Sequence, residues 1–537
     1  MMQRHLATAL SAVLLLSTSA FAQKPAVWKT GATCYEIFVR SFYDSDGDGI
    51  GDLKGLTQKL DYINDGNPNS TTSLGAKCIW LMPIDDSPSY HGYDVSNYYH
   101  VNPQYGTAED FKRLVAAAHK HHIKVIVDLV LNHSSSQHPY FQEALRDTAS
   151  PHRNWYIFSK TKPDYSGVWG QEVWHKSPVR GEYYYGLFTR EMPDLNYNNP
   201  AVRQEATNIA KFWLTQMGVD GFRLDAVSYL VEEGKKLDHT KGTHDVLRQF
   251  SADVKRIKPD AYTIGEVYDS IGTQLPYYPD QLDAYFTFEE SDAILAAVRN
   301  GSSKGLLPPL MRLQSKLPEY RYSPFLRNHD QTRTMTALGG DPARARLAAQ
   351  ILFALPGLPY VYYGEEIGMT GDKPDPRLRT PMQWTPVTGA GFTTGRAWES
   401  LMPDSATANV QVQEADRGSL LNLYRKLIHL RSSNAALANG TLIPLDASDG
   451  AAGAWVRRDG SHIVLVIANV GTTPLSNVAL SSDAGGLSAG MFTLRDLLSG
   501  AAAADLTVER GGNVQGYVPL PTLAPMQAYY FELTEKR

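Results

Sequence analysis

The sequence predicts an α/β fold: a (β/α)8 barrel, an irregular domain inserted after its third strand, and a C-terminal antiparallel β-sandwich domain. Three observations carry that prediction. Apolar runs of strand length alternate with amphipathic segments of helix length, as in parallel sheets buried on both faces. The alternation stops once, across a polar, aromatic and irregular stretch from Ser134 to Asn199 that includes Trp155, Tyr156, Trp169 and Trp174. Beyond Asn434 it gives way to short runs such as AWVRR, HIVLVIANV and AYYFEL, separated by Gly, Asp and Thr-Pro turns.

Taken in order, residues 1–22 read as an export signal. Arg4 and His5 supply a basic start, Leu6 to Leu16 an apolar run, and Ala20-Phe21-Ala22 a small-x-small cleavage site before Gln23. That run is shorter than a bilayer span, and no later stretch has the roughly 18 apolar residues of a membrane helix. A secreted or periplasmic protein with no membrane partner is expected. The barrel is assigned to residues 23–133 and 200–434, the inserted domain to 134–199 and the β-domain to 435–537. Eight strands are predicted: CYEIFVRSF from Cys34, CIWLMPI from Cys78, IKVIVDLVLNH from Ile123, Val219 to Asp225, Tyr262 to Val267, Ala284 to Phe288, Ser323 to Asn328 and Pro359 to Tyr363. Helices are predicted at Leu53 to Ile63, Ala108 to His121, Ala201 to Met217, Asp245 to Ile257 and Pro342 to Leu355, with Leu420 to Arg431 closing the barrel. In the second of these, Phe111, Leu114, Val115 and Ala118 fall on one face.

Composition narrows the function. A chain of 537 residues needs about two or three domains. A net charge of -5 gives no reason to expect nucleic acid or an anionic membrane as partner. The 30 Tyr and 9 Trp offer faces on which sugar rings can stack, or ordinary core packing. Cys34 and Cys78 open predicted strands that are candidate neighbours, which leaves a disulfide open, while two inert buried thiols are the favoured expectation. A monomer is expected.

Barrel enzymes carry their active sites at the carboxyl ends of the strands. Here the third strand ends in Asn132 and His133, the fourth in Arg223 and Asp225, the fifth in Gly265 and Glu266, and the seventh in Asn328, His329 and Asp330. If GFRLDAV is a strand, Arg223 and Asp225 share one face. A buried acid beside an arginine stays ionised, as a carboxylate nucleophile requires. A structural ion pair explains this stretch equally well by itself. Three acids and two histidines at converging strand ends favour chemistry, because each buried charge costs stability unless paired or used. Glu266 has no cation beside it in sequence, and a nearby negative charge such as Asp330 raises its pKa. One ionised and one protonated carboxyl group are what a retaining glycosidic cleavage needs.

The motifs resemble the α-amylase family of glycoside hydrolases, family 13. They are HGYDV at His91 to Val95, DLVLNH at Asp128 to His133, MPDLN at Met192 to Asn196, GFRLDAV at Gly221 to Val227, GEV at Gly265 to Val267 and RNHD at Arg327 to Asp330. They occur in the family's order, from about Cys34 to the final β-domain. The resemblance implies Asp225 as nucleophile, Glu266 as general acid and base, and Asp330 as a third carboxylate holding sugar hydroxyls. It implies that Arg223, His133 and His329 contact nucleophile and sugar, that Tyr93 stacks under the reacting ring, and that Tyr90 and Asp94 join the substrate contacts. Its nearest members lie between oligo-1,6-glucosidases and neopullulanases.

The loop DSDGDGIGDL presents Asp44, Asp46, Asp48 and Asp52, with the carbonyl of Ile50, as hard oxygen donors at alternate positions. An EF-hand requires Glu where this chain has Gly55, and a helix where it has a strand. A solvated acidic turn is the alternative, opposed by the repulsion among so many unneutralised acids. Related family members hold a structural Ca²⁺ at a similar loop, so the resemblance implies Ca²⁺ here, for stability rather than catalysis. Asn132 serves a second Ca²⁺ in some amylases, though no partners are evident in the sequence.

Specificity also rests on the resemblance. Ala226, beside the predicted nucleophile, is small, where α-1,6-preferring members tend to carry Val; this favours α-1,4 bonds. Exo-acting α-glucosidases carry a capping Asp where this chain has Tyr90, so the groove is expected to be open to longer chains. RTPMQW, Arg379 to Trp384, leans instead toward glucosidases and trehalose synthases. The expected activity is that of an α-amylase on starch and maltooligosaccharides, with an α-glucosidase or transglucosylase as the alternative. Non-catalytic relatives, the amylase-fold heavy chains of amino-acid transporters, need a membrane anchor and no acid triad. The C-terminal domain is expected to pack against the barrel rather than bind starch.

Overall fold

The computed structural model describes residues 31–483 and 485–536; the expected export signal lies outside them. Eight short strands form the core: β1 (Cys34–Ile37), β2 (Cys78–Leu81), β3 (Lys124–Leu129), β4 (Gly221–Leu224), β5 (Tyr262–Gly265), β6 (Ala284–Phe286), β7 (Tyr322–Ser323) and β8 (Tyr360–Tyr362). Their order is β7-β6-β5-β4-β3-β2-β1-β8, with every neighbour parallel. A parallel bridge from Phe325, just past β7, to Tyr360 closes the sheet into a TIM barrel.

Both faces of these strands are apolar because both are covered. Cys34, Cys78, Trp80, Ile126, Ile264 and Phe286 fill the barrel interior. Their alternates Tyr35, Ile79, Leu81, Val125 and Phe222 pack outward against the helices. This is why the strands read as continuous rather than alternating runs. The same alternation corrects the cysteine expectation. Cys34 and Cys78 are register partners on neighbouring strands, both turned inward, with Cα atoms 4.4 Å apart, and they form a disulfide. Proximity in register, which the sequence does not carry, brings the two sulfurs together.

Five of the longer helices start where a polar side chain caps them: Thr107 and Asp110 form a capping box for Ala108–Lys120, and Asn199, Thr240, Asp341 and Ser419 cap later ones. The strands stop earlier than predicted. β3 ends at Leu129 and β7 at Ser323, so Asn132, His133 and Asn328 to Asp330 stand on the loops beyond. No helix among the described residues is long and apolar enough to cross a membrane.

The inserted domain holds the helix Pro139–Arg146 and a three-stranded antiparallel sheet of Phe158–Ser159, Tyr183–Tyr185 and Trp174–Lys176. It is fastened to the end of β3: the Leu195 N–H donates to the Asn132 carbonyl (2.9 Å), and Asn132 Nδ2 donates to Asp194 Oδ2 (3.0 Å). The C-terminal domain is antiparallel, as expected. In its strand His462–Asn469, Val464, Val466 and Ala468 join the barrel's core while Ile463, Leu465 and Ile467 face the domain's own core. The eight-stranded sheet curls over that second core as a sandwich, and the Tyr517 hydroxyl on one edge strand donates to the Ala504 carbonyl on the other (2.5 Å).

Candidate active site

The β4 alternation turns Phe222 and Leu224 outward and Arg223 inward, where it is fully buried. Its Nη1 donates to Asp128 Oδ1 (2.9 Å) and to Asp225 Oδ1 (2.6 Å), and its Nη2 lies 2.7 Å from Glu266 Oε2. One guanidinium therefore ties three carboxylates from three adjacent strands. Glu266, which has no cation next to it along the chain, thus has one beside it in space. The β4–β5 pairing sets Gly265 opposite Leu224, which brings Glu266 within reach of Arg223 from the next strand.

That cation does not hold the Glu266 proton off. Burial is the main cause that raises its pKa to about 7, and the charges of Asp225 and Asp330 add to it, outweighing Arg223 and His329. Burial likewise lifts Asp128 to about 6 against the pull of Arg223. Asp128 is quoted in the DLVLNH motif, yet nothing in the sequence marks its task. It anchors Arg223 and also accepts hydrogen bonds from Trp80 Nε1 (3.3 Å) and the Tyr93 hydroxyl (3.1 Å).

Across the barrel mouth His329 is clamped between acids. Its Nδ1 meets Glu36 Oε1 at 2.5 Å, and its Nε2 lies 3.0 Å from Asp330 Oδ2 and 2.6 Å from the Tyr93 hydroxyl. Burial opposes its charge, but Asp330 and Glu36 prevail and raise its pKa to about 9. Partial enclosure works against an ionised Asp330, and His329 together with Arg379, 2.7 Å away, nevertheless draws its pKa well below the usual carboxylate range. The Tyr93 ring lies nearly parallel to His329, at 12°. His133 Nε2 pairs with the Tyr93 carbonyl (3.1 Å), and burial lowers its pKa, which keeps it neutral.

Asp225, Glu266 and Asp330 all open on one cavity of about 640 Å³, together with Tyr93 and His133. The volume suits a small oligosaccharide segment. Four expected substrate contacts are not on its wall: Arg223 and His329 are fully buried behind the acids they bind, and Asp94 and Tyr90 turn elsewhere. Asp94 is buried, and its Oδ1 accepts from the hydroxyls of Ser87 (2.7 Å) and Ser89, which ties it to its own loop. Tyr90 stacks on Trp398, at 25° and 5.3 Å between centroids, rather than on the cavity. The wall adds residues that no motif announced: Trp169 and Phe188 from the inserted domain, Tyr229 and Tyr268 from the loops after β4 and β5, and Asp375 after β8. The aromatic enrichment of the inserted stretch was the only signal for the first two. Arg379 had a motif, RTPMQW, but its contact with Asp330 spans 49 positions. Ala226 lines the cavity in the left-handed backbone region, φ 49°, which a small side chain tolerates better than a β-branched one.

Away from the cavity, the acidic loop gathers Asp44, Asp46 and Asp48 with a carboxylate oxygen of each within 4.8 Å of the others, a donor set suited to a hard divalent cation. Asp44 is buried, which opposes ionisation. The Thr393 hydroxyl (2.5 Å) and the amides of Gly47, Gly49 and Asp46 overcome this and lower its pKa. Gly49 adopts φ +94°, and a Cβ there would meet the Arg396 carbonyl at 1.9 Å, so the loop needs glycine. Asp52 does not join the cluster as expected. It caps the helix Leu53–Gln58 through the Gly55 N–H (2.8 Å) and takes the Ser45 N–H (2.7 Å), so both oxygens are engaged.

Acids gathered over one cavity at the strand ends of an eight-stranded parallel barrel mark an enzyme of the TIM-barrel class, and the family match makes it a glycosidase-type one. Residues 36–440 match the alpha-amylase catalytic-domain family, and the chain belongs to that family of glycoside hydrolases and transglycosylases. It is 40% identical over 451 residues to alpha-amylase 3 of Dictyoglomus thermophilum, across 82% of this chain and 85% of that one. It is 34% identical over 488 residues to a trehalose synthase/amylase of Mycolicibacterium smegmatis, across 80% of each. The crystal structure of an alpha-amylase from H. orenii is similar with a TM-score of 0.80 at 39% identity, covering 94% of this chain and 100% of that chain.

Proposed function

We propose that this chain is a retaining α-amylase that cleaves α-1,4-glucosidic bonds of starch and maltooligosaccharides through a glycosyl-Asp225 intermediate. The observation that carries it is the sharing of Arg223 by Asp225 and Glu266, with Glu266 raised to about 7. One guanidinium holds both carboxyl groups and keeps them near each other, which accords with the closely paired acids of a retaining enzyme. Asp225 attacks the anomeric carbon while Glu266 gives its proton to the leaving oxygen. Water, deprotonated by the same Glu266, then releases the sugar and regenerates both groups. Asp330, held ionised by His329 and Arg379, accepts from sugar hydroxyls, and Tyr93 lies under the ring.

The resemblance to an alpha-amylase at 40% identity, and a Tyr90 that packs on Trp398 instead of capping a chain end, favour endo action. The trehalose synthase/amylase relative keeps glucosyl transfer as the second reading. Product analysis on maltoheptaose with a blocked non-reducing end separates them. Cleavage of the blocked substrate is expected; its complete resistance rules out the endo-acting assignment.

The loop of Asp44, Asp46 and Asp48, with the Ile50 carbonyl expected to assist, fits a Ca²⁺ that neutralises its own acids and stabilises the fold. An exported location accords with the buried Cys34–Cys78 disulfide, since such bonds persist in oxidising compartments.

A further inference from the structure

The inserted domain meets the cavity with Trp169, Phe188 and Met192. Trp169 leaves 59% of its surface exposed. An indole kept in water at the edge of a site is stabilised when a ligand covers it. Its loop is not slack. The Trp169 N–H donates to Gln171 Oε1 (2.9 Å), the Gly167 N–H to the Gln171 carbonyl (2.8 Å), and Gln171 Nε2 to the Leu187 carbonyl (3.0 Å). The Leu187 N–H donates in turn to Asp194 Oδ1 (2.9 Å), which is bound through its other oxygen to Asn132. A continuous path of hydrogen bonds thus fixes the loop to the end of β3. The ring itself is braced at 5.7 Å by both Phe188 and Tyr229. A face held rigid in advance loses little freedom when a ligand binds.

Position assigns what that face binds. Tyr229 follows Asp225 by one short turn and lines the cavity together with Glu266. Glu266, as the proposed general acid, protonates the leaving oxygen, which puts the departing sugar toward Glu266 and Tyr229, and the Trp169 ring, 5.7 Å from that of Tyr229, comes next along that wall. A pyranose presents an apolar C–H face that an indole can cover without any hydrogen bond.

We propose that Trp169 is the stacking platform for the second glucosyl unit on the leaving-group side, selecting substrates that carry two or more glucosyl units beyond the cleaved bond. The assignment rests on the glycosidase function proposed above. It is tested by comparing the wild type, Trp169→Ala and Trp169→Phe on maltopentaose and on α-glucosyl fluoride, whose leaving group carries no sugar. Trp169→Ala is expected to raise KM and lower kcat/KM for maltopentaose by on the order of tenfold with kcat largely kept. Trp169→Phe retains most of the affinity, and all three proteins turn over the fluoride at the same rate. An unchanged kcat/KM on maltopentaose, or an equal loss on the fluoride, overturns the role of Trp169 while the glycosidase function stands. A wild type that turns over neither substrate overturns that function and this platform with it.

Discussion

Arg223 is the residue on which the site's proton arrangement depends. Fully buried, it compensates Asp225 and Asp128 and still leaves Glu266 with a pKa of about 7, because burial and two neighbouring carboxylates outweigh it. A general acid must be protonated to act, so kcat/KM, which reports the free enzyme, is expected to fall as the pH rises through about 7. Asp225→Asn removes the nucleophile and Glu266→Gln the proton donor, and each is expected to cost roughly 10³-fold or more in kcat on maltooligosaccharides. Either variant retaining most of its activity would show the acid assigned to the wrong role. Asp225, Glu266, Asp330, Tyr93, His133 and His329 were each legible from motifs. The reach of Arg223 to Glu266, and the tasks of Asp128, Glu36 and Arg379, were not. Those contacts run across strands or through nearly three hundred residues, as between His329 and Glu36, and distance along the chain hides them.

Among the elements, the barrel strands were found with their order of occurrence intact and their ends drawn too far. An apolar run continues past the last ladder hydrogen bond, so the sequence gives no mark where β3 leaves the sheet at Leu129. Beyond it the chain is no longer held in the pleat, and His133 turns into the cavity while Asn132 turns to Asp194 of the inserted domain. The acidic loop behaved similarly. Its alternation of aspartates was visible, but whether an Asp faces a shared centre or caps the next helix depends on the turn, and Asp52 caps. Addition of a chelator is expected to lower the thermal midpoint while leaving the active-site geometry, and hence kcat at low temperature, unchanged. An unaltered midpoint argues against a bound cation at Asp44, Asp46 and Asp48.

At the scale of the whole molecule, three bodies share one active enzyme. The C-terminal domain covers the barrel with Trp455, Val464, Val466 and Tyr530, all buried in the common core. Deleting residues 435–537 bares that surface, and the truncated barrel is expected to melt several degrees lower and to aggregate, measured by thermal scanning and light scattering. The inserted domain brings Trp169 and Phe188 to a cavity whose acids all belong to the barrel. By itself the sequence determined the barrel, its interruption, the β-domain and the three acids that meet at the cavity, because periodicity and short motifs are local properties. Tertiary structure alone decided that Cys34 and Cys78 are bonded, that Asp94 serves its own loop, that Tyr90 lies off the cavity wall and that Trp169 lies on it. Each of these depends on strand register or on a contact between segments distant in the chain, and neither is encoded in any single stretch.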